Sequence, residues 1–573
     1  MLFRSNWSDS LLPSTRCVDV TIPNVTNKPI LSSGTATITN LVIQPLAALS
    51  IINTGLLQVG GSITNNGTFD VSAGTLDFNG SSPQSFSGNL FVGNTLKNLT
   101  VSNTNLAVSG IAVPLNITGE LAFGAVSNVT LTTGDNIVLV STAVATARVA
   151  DITNAGTRSG NKFIGKVTVE RYYPARRAWR LVTSPLSSTG SIFSNWQENA
   201  TYVPGRGLLI TGLTPNAAIN GLDTSFQNHY SMKGWLASNS TYVNIGNTLT
   251  TNLSSTAVSA ANTGYYLFVR GDRSRSPDNT VIPNTNITTV SSKGNLQTGP
   301  QTFVAESIAG TYTLIGNPYA SSIDFNKITK VNINPKRFYV FDPSLGTIGL
   351  FVVMEENPVN SGLFLPIVQT TSTQRNFIQS SQAFFVEHDS TNNAASVTIN
   401  EDNKSNDYNP KLFRPAIPLS LPGSLRTNLL QLNNNSSNLV VDGFLAEYDN
   451  SFNAEVDIQD AMKFTNINEN LGLVRNAKIL CVERRPIITA DDTLFIRISR
   501  TTQRRYQLAF EPANFDPLLT AFLEDRYKGT KNLLSLTANS SYDFEVNGDA
   551  ASAATDRFRI LFKKLETGPL PVT

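Results

Sequence analysis

Ala36-Thr37-Ile38-Thr39-Asn40-Leu41-Val42-Ile43, then Gly55-Leu56-Leu57-Gln58-Val59-Gly60, then Ser62-Ile63-Thr64-Asn65-Asn66-Gly67-Thr68-Phe69-Asp70-Val71: these runs carry the pattern that decides the fold. In each, apolar and polar residues alternate, Asn or Gly interrupts, and another short alternating run follows. Leu96-Lys97-Asn98-Leu99-Thr100-Val101 and Leu115-Asn116-Ile117-Thr118-Gly119-Glu120-Leu121 repeat the pattern, and no helical period runs through the region. A coil of such short strands cannot bury its own apolar row, so coils must stack. The reading is a β-solenoid, parallel β-helix-like, over residues 1–165, with Asn and Gly at the corners where the backbone turns left-handed and Asn side chains laddered between coils. A β-sandwich with short hairpins is the competing arrangement of the same strands.

Charge is withdrawn from this block. Residues 31–150 carry only Asp70, Asp77, Lys97, Glu120, Asp135 and Arg148. Over the whole chain of 573 residues, 43 Lys+Arg balance 41 Asp+Glu and charged residues make up 15%, against about 25% in ordinary domains. A net charge of +2 gives no extended field for nucleic acid, and the apolar content argues against disorder. His229, His388, Cys17 and Cys481 are the only imidazoles and thiols. That stock is too small for a tetrahedral zinc centre, a haem or a Cys-ligated cluster, and no G-x-S-x-G elbow supports a Ser-His-Asp triad. No catalytic function is expected, and a Cys17–Cys481 disulfide is not expected either, since the two fall in different domains. No apolar run is long enough to span a membrane as a helix. The first residues lack an apolar signal core, so the expectation for an exported chain is a signal removed or outside it.

Residues 166–400 remain strand-rich but gain aromatics and Arg, as in Gly264-Tyr265-Tyr266-Leu267-Phe268-Val269-Arg270, with turn signals at Asn317-Pro318 and Asp342-Pro343. Residues 401–423, with several Asn and Pro, read as a linker. Residues 424–563 read as a jelly-roll-like β-sandwich, with strands around 425–432, 440–448, 478–482, 493–498, 505–510 and 558–562. Residues 564–573 read as a Pro-rich connector. The fold class is therefore all-β: solenoid first, sandwich domains after.

Three groups of residues are candidate sites. Asp449, Ser451, Asn453, Glu455, Asp457 and Asp460 occupy loop positions 1, 3, 5, 7, 9 and 12, the spacing that wraps oxygen ligands around Ca²⁺, the one cofactor the sequence suggests. Ala454 at position 6 and the short Asp460 depart from that pattern, and the competing reading has Asp457 cap a short helix through Ala461-Met462-Lys463. Arg171, Tyr173, Arg176 and Trp179 belong to the strip Arg171–Arg180, whose guanidinia and rings suit an acidic polysaccharide; alternatively the strip joins two domains, with Arg stems packed on aromatic faces. Arg270-Gly271-Asp272 matches an adhesive tripeptide, though a tight turn at Gly271 accounts for it better. Glu524-Asp525 are neighbours on a strand and point to opposite faces, so they do not form a catalytic pair.

Several segments resemble large extracellular proteins of Bacteroidetes-type bacteria exported by the type IX secretion system. They are Asn6-Trp7-Ser8-Asp9 with Val18–Pro23, Glu170–Arg180, Leu314-Ile315-Gly316-Asn317-Pro318-Tyr319-Ala320, Phe338-Tyr339-Val340-Phe341-Asp342-Pro343 and Asp556-Arg557-Phe558-Arg559-Ile560. The resemblance implies an extracellular or outer-surface location, a role in adhesion or appendage building, and a C-terminal sorting domain lost after the connector. It further implies O-glycan acceptors at Ser10, Ser390 and Thr493, each preceded by Asp. The expected function is a non-catalytic secreted structural or adhesive protein, the subunit of a fibre assembled head to tail, with itself or other surface components as partners. The alternative is an array of carbohydrate-binding modules.

Overall fold

The computed structural model describes residues 12–87, 90–109, 113–225, 228–253, 264–274, 286–358, 360–389, 393–406, 423–433 and 438–564. It is built almost entirely of strands, and among the described residues the single α-helix is Ile192–Asn195.

The alternating runs stack as parallel coils. Val20–Ile22, Leu41–Ile43 and Ile63–Asn65 pair in parallel on one face; Gln84–Ser87, Asn105–Ser109, Thr130–Thr132 and Lys162–Ile164 continue with a second parallel sheet. The opposite face belongs to a twelve-stranded sheet. Register explains why the period-two pattern decides the fold: Ala36, Leu57, Leu76, Leu99 and Leu121 stand over one another, and so do Ile38, Val59, Phe78, Val101 and Phe123. All ten are buried, so a one-residue slip in any coil would turn its whole apolar row to water.

The corners hold a device that repeats. Asn40 donates to Asp19 in the coil before (2.8 Å) and accepts from the Ser62 amide in the coil after (2.8 Å). Asn98 donates to Thr75 (3.1 Å) and accepts from the Glu120 amide (2.9 Å). In both places the residue before the donating amide is Gly, and a Cβ on Gly61 or Gly119 would collide with the Asn oxygen. These asparagines bracket coils; the left-handed turns fall to others, such as Asn53, Asn128 and Asn154.

The parallel stack does not stop at residue 165. Val167–Tyr173 pairs in parallel with Ile137–Leu139 and then antiparallel with Thr288–Leu296, so the solenoid sheet passes directly into the middle region. Val149 donates to the Ala320 carbonyl (2.7 Å), and Lys404 to the Ala150 carbonyl (3.2 Å). Within residues 401–405, expected in a linker, Glu401, Asn403 and Lys404 are instead buried. Lys404–Ser405 pairs with Ser322–Asp324, Lys404 and Glu401 form a buried ion pair at 2.7 Å, and the Lys404 ammonium lies 4.7 Å from the Tyr319 ring centre. The rest of that linker, 407–422, and the connector beyond residue 564 lie outside the described residues.

Ala178–Val182, Tyr265–Val269, Met232–Leu236 and Thr241–Asn244 form a four-stranded sheet; Tyr312–Gly316, Ala383–Glu387, Arg337–Asp342, Leu350–Glu356 and Phe364–Pro366 form a five-stranded one. Their shared core reaches into the next domain, because Phe464 packs against Tyr312, Phe385, Tyr339 and Phe351 with ring centres 4.6 to 5.0 Å apart. All six strands expected in the C-terminal part are present, in an eleven-stranded sheet folded around one core.

Charge reinforces that junction. Arg337 bonds to Glu355 (2.6 Å), Glu387 (3.3 Å) and the Gln459 carbonyl (2.7 Å), while Arg484 grips the other oxygen of Glu355 (2.8 Å) and also Glu447 (2.7 Å). Burial pushes the Glu355 carboxyl up, but Arg337 and Arg484 outweigh it and hold it at about 2. Its ordinary value is 4.5. Unfolding therefore takes up a proton between these values, and this contribution to stability, complete above pH 4.5, is lost as pH falls toward 2. Glu387, raised by burial, acts in the opposite sense. Glu355→Gln is expected to lower the melting temperature at pH 7 and to flatten its dependence on pH between 4.5 and 2; an acid slope equal to that of the parent would refute the assignment.

Candidate functional site

Pro174 has no amide hydrogen with which to extend the strand Val167–Tyr173. The chain leaves the solenoid sheet there and enters the four-stranded sheet at Ala178. Where the two sheets part, a groove of ≈ 930 Å³ opens, lined from one side by residues 141–146 and 171–174 and from the other by 341–344 and 373–382. Its volume falls at the upper end of the ~300–1,000 Å³ typical of ligand clefts.

Its charged lining is three arginines, Arg171, Arg180 and Arg375, against one aspartate, Asp342. Asp342 is already engaged: it accepts from the Ser344 amide (2.9 Å) and from the hydroxyls of Ser344 and Ser372 (both 2.6 Å). Arg180 is the unusual member. It is 6% exposed, yet among the described residues its guanidinium hydrogen-bonds only to the Arg176 carbonyl (3.3 Å), its Nε has no partner there, and its guanidinium lies 5.0 Å from the Tyr173 ring centre. Burial lowers its pKa to about 10, so it stays charged at neutral pH. Arg171 is half-buried and forms no ion pair among the described residues. Tyr172 and Phe377 offer half-buried ring faces, and Gln374, Gln379 and Gln382 offer amides. Such a lining can hold an anion and hydrogen-bond its hydroxyls.

Of the four strip residues singled out in the sequence, Arg171 and Tyr173 line this groove. Arg176 does not: its guanidinium donates to the carbonyls of Pro343 and Gly346 (2.7 Å to the latter). Trp179 does not either, being buried in the core with its ring 4.4 Å from that of Tyr266; on a strand, its neighbour Arg180 takes the opposite face. Arg375, Gln379 and Asp342 were missed because they come from segments some 170 to 200 residues away, and period and composition carry no signal for that proximity.

The six proposed calcium ligands do not converge. Asp449 accepts from the amide and hydroxyl of Ser451 (2.9 and 2.7 Å), Asn453 from the Glu455 amide (3.1 Å), and Asp457 from the Gln459 amide (2.8 Å). Glu455 accepts from Asn476 (2.8 Å), and Asp460 is buried against Arg475 (2.9 Å). The five acceptors are thus engaged by neighbouring amides, a hydroxyl or a guanidinium, and no group of three His, Cys, Asp or Glu side chains able to hold a metal ion gathers among the described residues. The competing reading of a short helix capped by Asp457 does not hold either: residues 458–459 turn, and Ala461–Met462 is a strand.

Arg270-Gly271-Asp272 is a buried turn, with Asp272 accepting from the Gly205 amide (2.7 Å) and from Asn286 (2.6 Å). Gly271 has φ 116 and no room for a Cβ beside Asn286. Thr493 lies within the strand Asp492–Ser499, paired to Leu561, a poor geometry for a glycan acceptor on the folded chain; Ser10 and Ser390 fall outside the described residues. His388 is buried, with Nε2 3.1 Å from the Asn393 carbonyl.

Residues 224–562 match the profile described as "Domain of unknown function (DUF8693)". The match spans most of the middle region together with the C-terminal sandwich, the two parts that share the aromatic core around Phe464. No curated protein and no solved structure is similar to the chain. With more than half its length covered, the chain belongs to the family of the Domain of unknown function (DUF8693).

Proposed function

We propose that the protein is a non-catalytic structural or adhesive component of the outer cell surface, and that its copies associate head to tail into a fibre. The observation that carries this reading is continuity: one sheet runs through the coils into the middle region, and one aromatic core runs from there into the sandwich. A protein organised this way transmits load from end to end, and the groove, whose one carboxylate is already engaged, holds no pair of acids for general acid–base work. At the other end of the stack, Val20–Ile22 and Ile30–Leu31 are the outermost strands of their sheets among the described residues. Outermost strands accept a strand from a second copy, a heterologous contact that propagates.

The test is antibody labelling of intact, unpermeabilised source cells, followed by electron microscopy of the labelled material. Surface label on end-to-end assemblies is the expected result. Label that appears only after permeabilisation would overturn the location, and isolated single particles at the surface would overturn the fibre.

A further inference from the structure

We propose that the groove between the solenoid and the middle region binds a carboxylate-bearing saccharide, with Arg180, Arg171 and Arg375 as its anion contacts. This goes beyond the structural role above and does not depend on it. The first ground is Arg180. A buried guanidinium without a contact ion pair is costly; the arginines of the interior at Glu355 and Asp525 all have such a pair, whereas among the described residues Arg180 is influenced by Asp342 only from beyond contact distance. It lines a cavity open to solvent, so an anion entering there supplies the missing partner. The guanidinium fork matches the two oxygens of a carboxylate.

The second ground is the rest of the lining, which suits a sugar better than a bare ion or an acidic peptide. The volume exceeds what a single small anion fills. Amides of Gln374, Gln379 and Gln382 and hydroxyls of Ser141, Thr142 and Thr146 match a ring bearing many hydroxyls. Tyr172 and Phe377 give flat apolar faces for the C–H side of a pyranose. In the lining strand Val167–Tyr173, residues 167–169 pair on both sides and the Tyr172 amide is taken by the Ser141 hydroxyl (3.0 Å), which leaves a peptide little of the backbone ladder it would need there.

The test is isothermal titration of the full chain with oligosaccharides bearing galacturonate, glucuronate or sialate, each against its methyl ester. At least one acid is expected to bind, and its ester, Arg171→Gln and Arg375→Gln are each expected to weaken binding by roughly ten- to a hundredfold. Arg180→Met is expected to weaken it at least as much, with melting temperature reporting whether the variant folds. The two half-buried arginine variants carry the test if it does not. Equal binding of acid and ester, displacement by sulfate at the same concentration as by the oligosaccharide, preference for poly-glutamate, or no binding by any of the three acids would each overturn the proposal.

Discussion

Arg557→Ala is expected to destabilise the C-terminal sandwich by about 3–5 kcal/mol, the usual cost of stranding one member of a buried ion pair, and to lower the midpoint of its unfolding by about 10 °C. Arg557 has a side chain 1% exposed, and its partner Asp525 is fully buried. It meets Asp525 through two parallel bonds (3.0 and 2.8 Å) and donates to the carbonyls of Glu545 (2.9 Å) and Ser552 (2.7 Å). Tyr527, Phe544 and Phe558 surround the guanidinium with ring centres 4.8 to 5.0 Å away. Truncation leaves a carboxylate in the core with its remaining donors unable to neutralise it, and a cavity where the guanidinium was. The double variant Arg557→Met with Asp525→Leu should lose much less, because no charge is then stranded. Calorimetry on the parent and the two variants decides the matter: if the single and double variants lose equal stability, packing rather than charge is responsible.

Arg337→Ala has the next largest expected effect, and its signature differs. Arg337 is 3% exposed on its side chain and joins the five-stranded sheet to the turn 458–460 of the C-terminal part. Its loss leaves Glu387 buried without a cation, since Arg484 reaches only Glu355 and Glu447. The cost is again about 3–5 kcal/mol, concentrated at the junction. Calorimetry of the parent is therefore expected to show the middle and C-terminal parts unfolding together, and that of Arg337→Ala to show the transition broadened or split. A variant whose transition moves without changing shape would mean that the charge network stabilises one side only and does not couple the two.

The solenoid was legible because it is redundant. The same alternation recurs coil after coil, and each coil's register is fixed by its neighbour, as the rows through Leu76 and Phe78 show. Strands of the sandwich were legible for a similar reason: amphipathic alternation is a local property. What failed was whatever depends on distant neighbours. Oxygen ligands at calcium spacing fell apart because Arg475 claims Asp460, Asn476 claims Glu455, and local turns claim Asp449, Asn453 and Asp457. The linker reading failed at residues 401–405 because the Glu401–Lys404 pair, polar in sequence, satisfies itself and packs beneath Tyr319. Within the arginine strip, composition pointed to a binding surface, but only the fold shows which residues face it: Trp179 turns into the core, and Arg180 beside it turns to the groove.

Coils, middle region and sandwich are expected to move as one stiff body. Cryo-electron microscopy of the isolated full chain tests it most directly. The expected result is a set of class averages in which all three parts appear together at fixed relative orientation, with Arg337→Ala blurring the sandwich alone. Averages of the parent in which the solenoid swings freely against the sandwich would contradict it.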